Sequence, residues 1–147
     1  MEGRAIIDCP AEDLFAFVAD AENNPRWHDH VHETRWLDDR ATGLGRRGRQ
    51  TGRLFRREWA FVAEIVEWDP PRLVTFQVIE GYRVRTSLRV EPAGAGSQLT
   101  LTVTTPAILG RRIDGFLSRV LARTVAGRGR SDIRRLKRHL EGRAGGG

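Results

Sequence analysis

Between Val31 and Thr104 apolar residues tend to recur at every second position, and on both sides of this block they recur every three or four. A period of two belongs to half-buried strands and a period near 3.6 to amphipathic helices, so the pattern predicts helix, then sheet, then helix. The alternation is cleanest from Tyr82 to Glu91. There Tyr82, Val84, Thr86, Leu88 and Val90 share one face, while Arg83, Arg85, Arg89 and Glu91 take the other. Leu99, Leu101 and Val103 alternate with Thr100, Thr102 and Thr104 after the turn-forming Pro92-Ala93-Gly94-Ala95-Gly96, which predicts an antiparallel hairpin. Trp59-Phe61-Ala63-Ile65 and Val74-Phe76-Val78 read as two more strands around an Asp69-Pro70-Pro71 turn. Val31 to Leu37 and Arg47 to Leu54 fit two earlier ones.

Such a meander wets one face and must cover the other. Two flanking segments offer the cover. On the N-terminal side, Ala5-Ile6-Ile7-Asp8 reads as a strand that stops at Cys9-Pro10, and Leu14, Phe15, Phe17 and Val18 then recur at helical spacing behind Glu12 and Asp13, which suit the helix dipole. Asn23-Asn24-Pro25 reads as a break, because the residue before a proline avoids helical angles, with a short helical turn expected over Arg26 to Asp29. On the C-terminal side, Ile113, Phe116, Leu117, Val120, Leu121 and Thr124 form one stripe that Ile133, Leu136 and Leu140 resume, which predicts a long closing helix. Gly127 and Gly129 make a kink or looser turn plausible there. The expected organisation is one domain over residues 1–141 and a disordered glycine-rich tail over 142–147, with no internal repeat.

Composition narrows the function classes. Cys9 is the single cysteine, which rules out an intrachain disulfide and a cysteine-rich zinc site. No apolar run approaches the roughly 20 residues needed to cross a bilayer, and the first residues show no secretory-type leader, so a cytoplasmic location is expected. The net charge of +6 suggests anionic partners, yet Lys137 is the sole lysine among 25 basic residues. That skew towards arginine is what a GC-rich genome produces without selection for phosphate contacts, so nucleic-acid binding is not expected. The arginines of the C-terminal helix still leave open a contact with an anionic membrane or nucleic acid, which a steep salt dependence would reveal.

The order strand, two short helices, about six antiparallel strands and one long helix resembles the helix-grip fold. In its wording the chain is similar to the START-like SRPBCC superfamily, and within it to the polyketide cyclase/dehydratase-like branch. The matching words are Ile7-Asp8-Cys9-Pro10-Ala11-Glu12-Asp13-Leu14-Phe15 with Val18-Ala19-Asp20, Asn24-Pro25-Arg26-Trp27, Glu67-Trp68-Asp69-Pro70-Pro71-Arg72-Leu73 and Leu136-Lys137-Arg138-His139-Leu140-Glu141. They span nearly the whole chain but consist mostly of turns, caps and core positions, so they specify fold better than activity. The resemblance implies an α+β helix-grip domain, a curved antiparallel sheet of about seven strands around the C-terminal helix, with an apolar cavity between them. It also implies a small hydrophobic, aromatic or polyketide-like ligand, and two functions stay open: a cofactor-independent polyketide cyclase or dehydratase, and a carrier or sensor without turnover.

Several residues could carry that chemistry. His28, His30 and His32 alternate, as some metal sites require, but they stand at a helix-to-strand turn where polar residues are ordinary, so no metal or other cofactor is expected. His30 is the foremost candidate for proton transfer at the cavity mouth, since an unperturbed imidazole titrates near neutrality. Arg57 shares the parity of Trp59, Phe61 and Ile65 and could hold a carboxylate, enolate or phenolate by paired donors, its alternative being a solvated strand-end arginine. Tyr82 and Thr86 are the polar members of the cleanest inward face, and Gln50 could point inward between Gly48 and Gly52. The expected catalytic set is His30, Arg57 and Tyr82. The expected wall comprises Gln50, Trp59, Phe61, Ile65, Phe76, Val84, Thr86, Leu88 and Leu101 on the sheet, with Ile113, Phe116, Leu117 and Val120 on the helix. His139 is expected in solvent, Cys9 as a small buried hydrophobe, and Trp36 and Trp68 in packing roles.

Overall fold

The computed structural model describes residues 2–28, 31–38, 43–54, 56–81, 83–104 and 132–142. Strand β1 (Glu2–Ile7) leads into helix α1 (Ala11–Ala19), a 3-10 turn (Ala21–Asn23) and the single-turn helix α2 (Asn24–Trp27). Strands β2 (Val31–Trp36), β3 (Arg47–Leu54), β4 (Arg57–Asp69), β5 (Leu73–Glu80), β6 (Arg85–Ala93) and β7 (Gly96–Thr104) follow. Residues 132–142 form a last helix, α3. The expected stripe from Ile113 to Thr124 lies outside the described residues.

All seven strands join one antiparallel sheet in the order β1-β7-β6-β5-β4-β3-β2. Chain neighbours pair throughout, except that β1 closes back on β7. Laid flat, six inter-strand gaps would separate β1 from β2 by about 29 Å. Yet α1 lies against β6 and β7, near one edge, while α2 and the 3-10 turn lie against β2, the other edge. The 9 residues of α1 span only about 14 Å, so the sheet curls into a half-barrel that the short helices bridge. One carboxylate fixes this bridge. Asp20 Oδ1 caps the 3-10 turn by accepting from Glu22 N at 3.1 Å, and it also accepts from Trp36 Nε1 at 3.0 Å.

The register builds the concave face row by row. Gly3, Leu101, Leu88, Val74 and Trp68 form one row, and Val103, Thr86, Phe76 and Ile65 form the next. Between Ile65 and Trp68 the β4–β5 register slips by one residue, which carries Trp68 to the inner side, where its ring meets Phe15 of α1 at 5.5 Å. The core lies here: Leu14, Val18, Val74, Val90, Leu99 and Leu136 are wholly buried. Helix α3 adds Leu140 and Ile133, and Glu141 accepts from Asp8 N at 3.1 Å. Cys9 is buried as expected.

Four sequence expectations change. Pro25 does not break a helix but opens one: it occupies the first turn of α2, where its missing N–H costs no hydrogen bond, so the helical turn begins at Asn24 rather than Arg26. Pro92 and Ala93 belong to β6, and the turn shrinks to Gly94-Ala95. Val90 N donates to Arg72 O on the side where β5 has ended, so Pro92, two residues on, faces the same unpaired side and removes no ladder bond. At the other end β6 starts at Arg85, leaving Arg83 and Val84 outside the strand. Finally, His139 is not in solvent. Its ring packs on Phe17 at 5.0 Å, and its Nε2 is buried without a hydrogen-bond partner among the described residues.

Candidate ligand site on the concave face

The concave face has two parts. The core just described fills the part under α1 and α3. Beyond it, towards the end where β3 turns into β4, the inner positions are Ala63, Phe61 and Trp59 on β4, Gly48, Gln50 and Gly52 on β3, Val78 on β5, and Val31 and Thr34 on β2, while Trp36 of β2 packs against the core. Trp59 and Phe61 are half-buried, and among the described residues neither packs against the main core. Their rings are nearly parallel, at 8° with centroids 5.0 Å apart. They form one stacked aromatic pair. Gly81, at φ 107°, lets the chain leaving β5 pass over Phe61, because a Cβ there would stand 3.0 Å from the Phe61 Cβ.

Polar groups sit around this surface. Gln50 faces inward, opposite Phe61 on one side and Thr34 on the other. Its Oε1 accepts from Asn24 Nδ2 at 2.8 Å and from Thr34 Oγ1 at 3.0 Å, joining α2, β2 and β3. Arg57 shares the parity of Trp59 and Phe61, is exposed at the start of β4, and makes no ion pair among the described residues. Thr86 and Val84 are half-buried, and Ile65, Leu88 and Leu101 are buried within the core; Phe76 packs against that core. Of the expected set, the structure therefore gathers Gln50, Trp59 and Phe61, with Arg57 at their edge. Ile65, Leu88 and Leu101 lie in the buried cluster that also holds Leu14 and Leu136, and Phe76 packs against it. His30, Tyr82, Ile113, Phe116, Leu117 and Val120 lie outside the described residues.

A second pair was not legible in sequence. His28 Nδ1 stands 2.7 Å from Asp132 Oδ2, so the end of α2 is tied to the start of the described part of α3, and the His28 ring lies 3.7 Å from that of Trp27. The partners are 104 residues apart, and no local pattern links them. His32 is exposed at the β2 irregularity.

The outer face carries a groove of about 390 Å³ edged by Glu2, Arg4, Glu67, Arg89 and Glu91. Its walls mix charges of both signs with Ser87, Gln98, Thr100 and Thr102 on the wet side of the sheet, which suits water rather than an apolar ligand. The aromatic inner surface is the better candidate site.

A model of the family described as polyketide cyclase/dehydrase and lipid transport matches residues 1–141. The chain belongs to this family. Its place in the START-like SRPBCC superfamily, with a helix-grip fold, follows from that match and from the seven-stranded half-barrel. No curated protein matches the sequence significantly. Among solved structures, this cyclase/dehydrase-family chain is similar to TTHA0849 of Thermus thermophilus, at 20% identity and TM-score 0.78 over 97% of each chain. It is also similar to the Zhui aromatase/cyclase of Streptomyces sp. R1128, at 15% identity and TM-score 0.75 over 98% of this chain and 94% of that one. Ginseng major latex-like protein 151 of Panax ginseng matches at 15% identity and TM-score 0.74 over 95% of each. At these identities the likeness shows the fold. No described helix is long and apolar enough to cross a membrane.

Proposed function

We propose that the protein, acting as one domain over residues 1–141, binds a small hydrophobic, aromatic or polyketide-like molecule against the concave side of its sheet. The observation that carries this reading is the stacked, half-buried Trp59–Phe61 pair on the inner face of the sheet. Packing dominates the expected affinity. Each ring offers a large apolar area at about 25 cal/mol per Å² removed from water, whereas one hydrogen bond nets only about 0.5 to 1.5 kcal/mol.

Family membership and the likeness to an aromatase/cyclase favour turnover as a second step. In that reading the pocket folds a reactive polyketone so that a carbonyl and an enol carbon meet, which supplies most of the rate. Arg57 would stabilise the enolate oxygen, and His30 and Tyr82 would move the protons of aldol closure and water loss, with no cofactor. The rival reading is a carrier or sensor with the same pocket and no chemistry.

The test begins with mass spectrometry of small molecules retained after native purification. An apolar fluorescent probe, 1-anilinonaphthalene-8-sulfonate, is then titrated into wild type, Phe61→Asp and His30→Ala, each checked for folding by circular dichroism. The expected result is loss of most probe binding in Phe61→Asp and little change in His30→Ala. Unchanged binding by a folded Phe61→Asp would remove the proposed site. With a substrate in hand, loss of turnover but not of binding in His30→Ala separates the enzyme from the carrier.

A further inference from the structure

Resting on the pocket reading above, we infer that Gln50 is a fixed hydrogen-bond donor that selects ligands carrying an acceptor oxygen, such as a ring ketone, over hydrocarbons of the same shape. Gln50 lies on the inner face of β3, half-buried, opposite Phe61 in the register. A carboxamide has one acceptor oxygen and two N–H donors. Both hydrogen bonds that Gln50 makes among the described residues go to its oxygen, from Asn24 Nδ2 at 2.8 Å and Thr34 Oγ1 at 3.0 Å. Two donors from two different elements fix the plane of the amide and the direction of its nitrogen. Nε2 has no acceptor among the described residues, so its two protons are the part of the inward-facing amide left for a ligand.

A half-buried donor held in place gains little from a hydrocarbon and loses its water when one binds over it. An acceptor oxygen on the ligand removes that cost. Because the amide is held before the ligand arrives, the bond forms without the entropy loss of freezing a glutamine side chain. Asn24 and Thr34 are positioning residues in this arrangement. Thr34 is buried at 7% exposure, which suits a group that orients rather than touches the ligand.

The variant that isolates this role is Gln50→Glu. A carboxylate still accepts from both Asn24 and Thr34, so the internal bonds survive, but the free N–H donors become an acceptor. The probes are 9-fluorenone and fluorene, which share a ring frame and differ by one carbonyl oxygen, each measured at pH 8 by displacement of 1-anilinonaphthalene-8-sulfonate. Wild type is expected to favour fluorenone, and Gln50→Glu to lower the ratio of the two affinities by about two- to tenfold, the worth of one net hydrogen bond, while both affinities fall because a carboxylate costs more to cover than an amide. Thr34→Val, which frees one side of the amide, is expected to give a smaller drop in the same ratio. A folded Gln50→Glu with a wild-type ratio would overturn the assignment while leaving the pocket intact. Failure of wild type to bind either molecule would take down the pocket reading and the assignment together.

Discussion

Leu88 and Arg89 are sequence neighbours on β6, one buried at 3% exposure and the other exposed on the outer face. Leu88→Ala is expected to cost about 2 to 5 kcal/mol in denaturant unfolding, because the side chain leaves a cavity between Val74 and Leu101. Arg89→Ala should stay within about 0.5 kcal/mol. Equal losses would mean that the inner and outer faces are assigned the wrong way round. Cys9 gives a second residue-scale prediction. Burial, and behind it the carboxylates of Asp13 and Asp8, push its thiol up from the usual range. An aromatic disulfide reagent should therefore label the native protein at least about a hundredfold more slowly than the urea-unfolded chain, reaction waiting on local opening. Labelling at the unfolded rate would place Cys9 at the surface.

At the scale of the element, alternation announces most of the strands, because the curled sheet keeps one face dry along β6 and β7. What alternation cannot announce is a shift of parity. Nothing in Val66-Glu67-Trp68 signals that β4 slips there and turns Trp68 inward, since the slip answers to packing against Phe15, a residue on another element. Prolines mislead for the opposite reason: Pro25 and Pro92 read as what they forbid, whereas each sits where its absent donor has no work. The same division holds in the candidate site. Gln50 is legible because two glycines flank it, but its partners Asn24 and Thr34 arrive through the fold, 26 and 16 residues away. His28 and Asp132 are the extreme case. Removing the carboxylate in Asp132→Ala takes a buried acceptor from the join between α2 and α3, and should lower stability by about 1 to 3 kcal/mol. A midpoint in urea indistinguishable from wild type would show that this join is ornamental.

For the molecule as a whole, the decisive feature is that β1 finds its sheet neighbour in β7, with Glu2 opposite Thr102 and Ile7 opposite Ser97. Among the described strands, the first in the chain is completed by the last. Closing a loop of that length must precede the contacts that reward it, so refolding after denaturant dilution should fall in the millisecond-to-second range of sheet proteins rather than the microseconds of helical bundles. Stopped-flow tryptophan fluorescence measures this directly, and completion within microseconds would contradict the β1–β7 closure. During synthesis at about 5 to 20 residues per second, the edge of β1 waits roughly 5 to 20 s before its partner exists. For that interval the apolar Ala5-Ile6-Ile7 segment lacks its sheet partner, and an unpaired strand edge of this kind is a template for pairing with another chain.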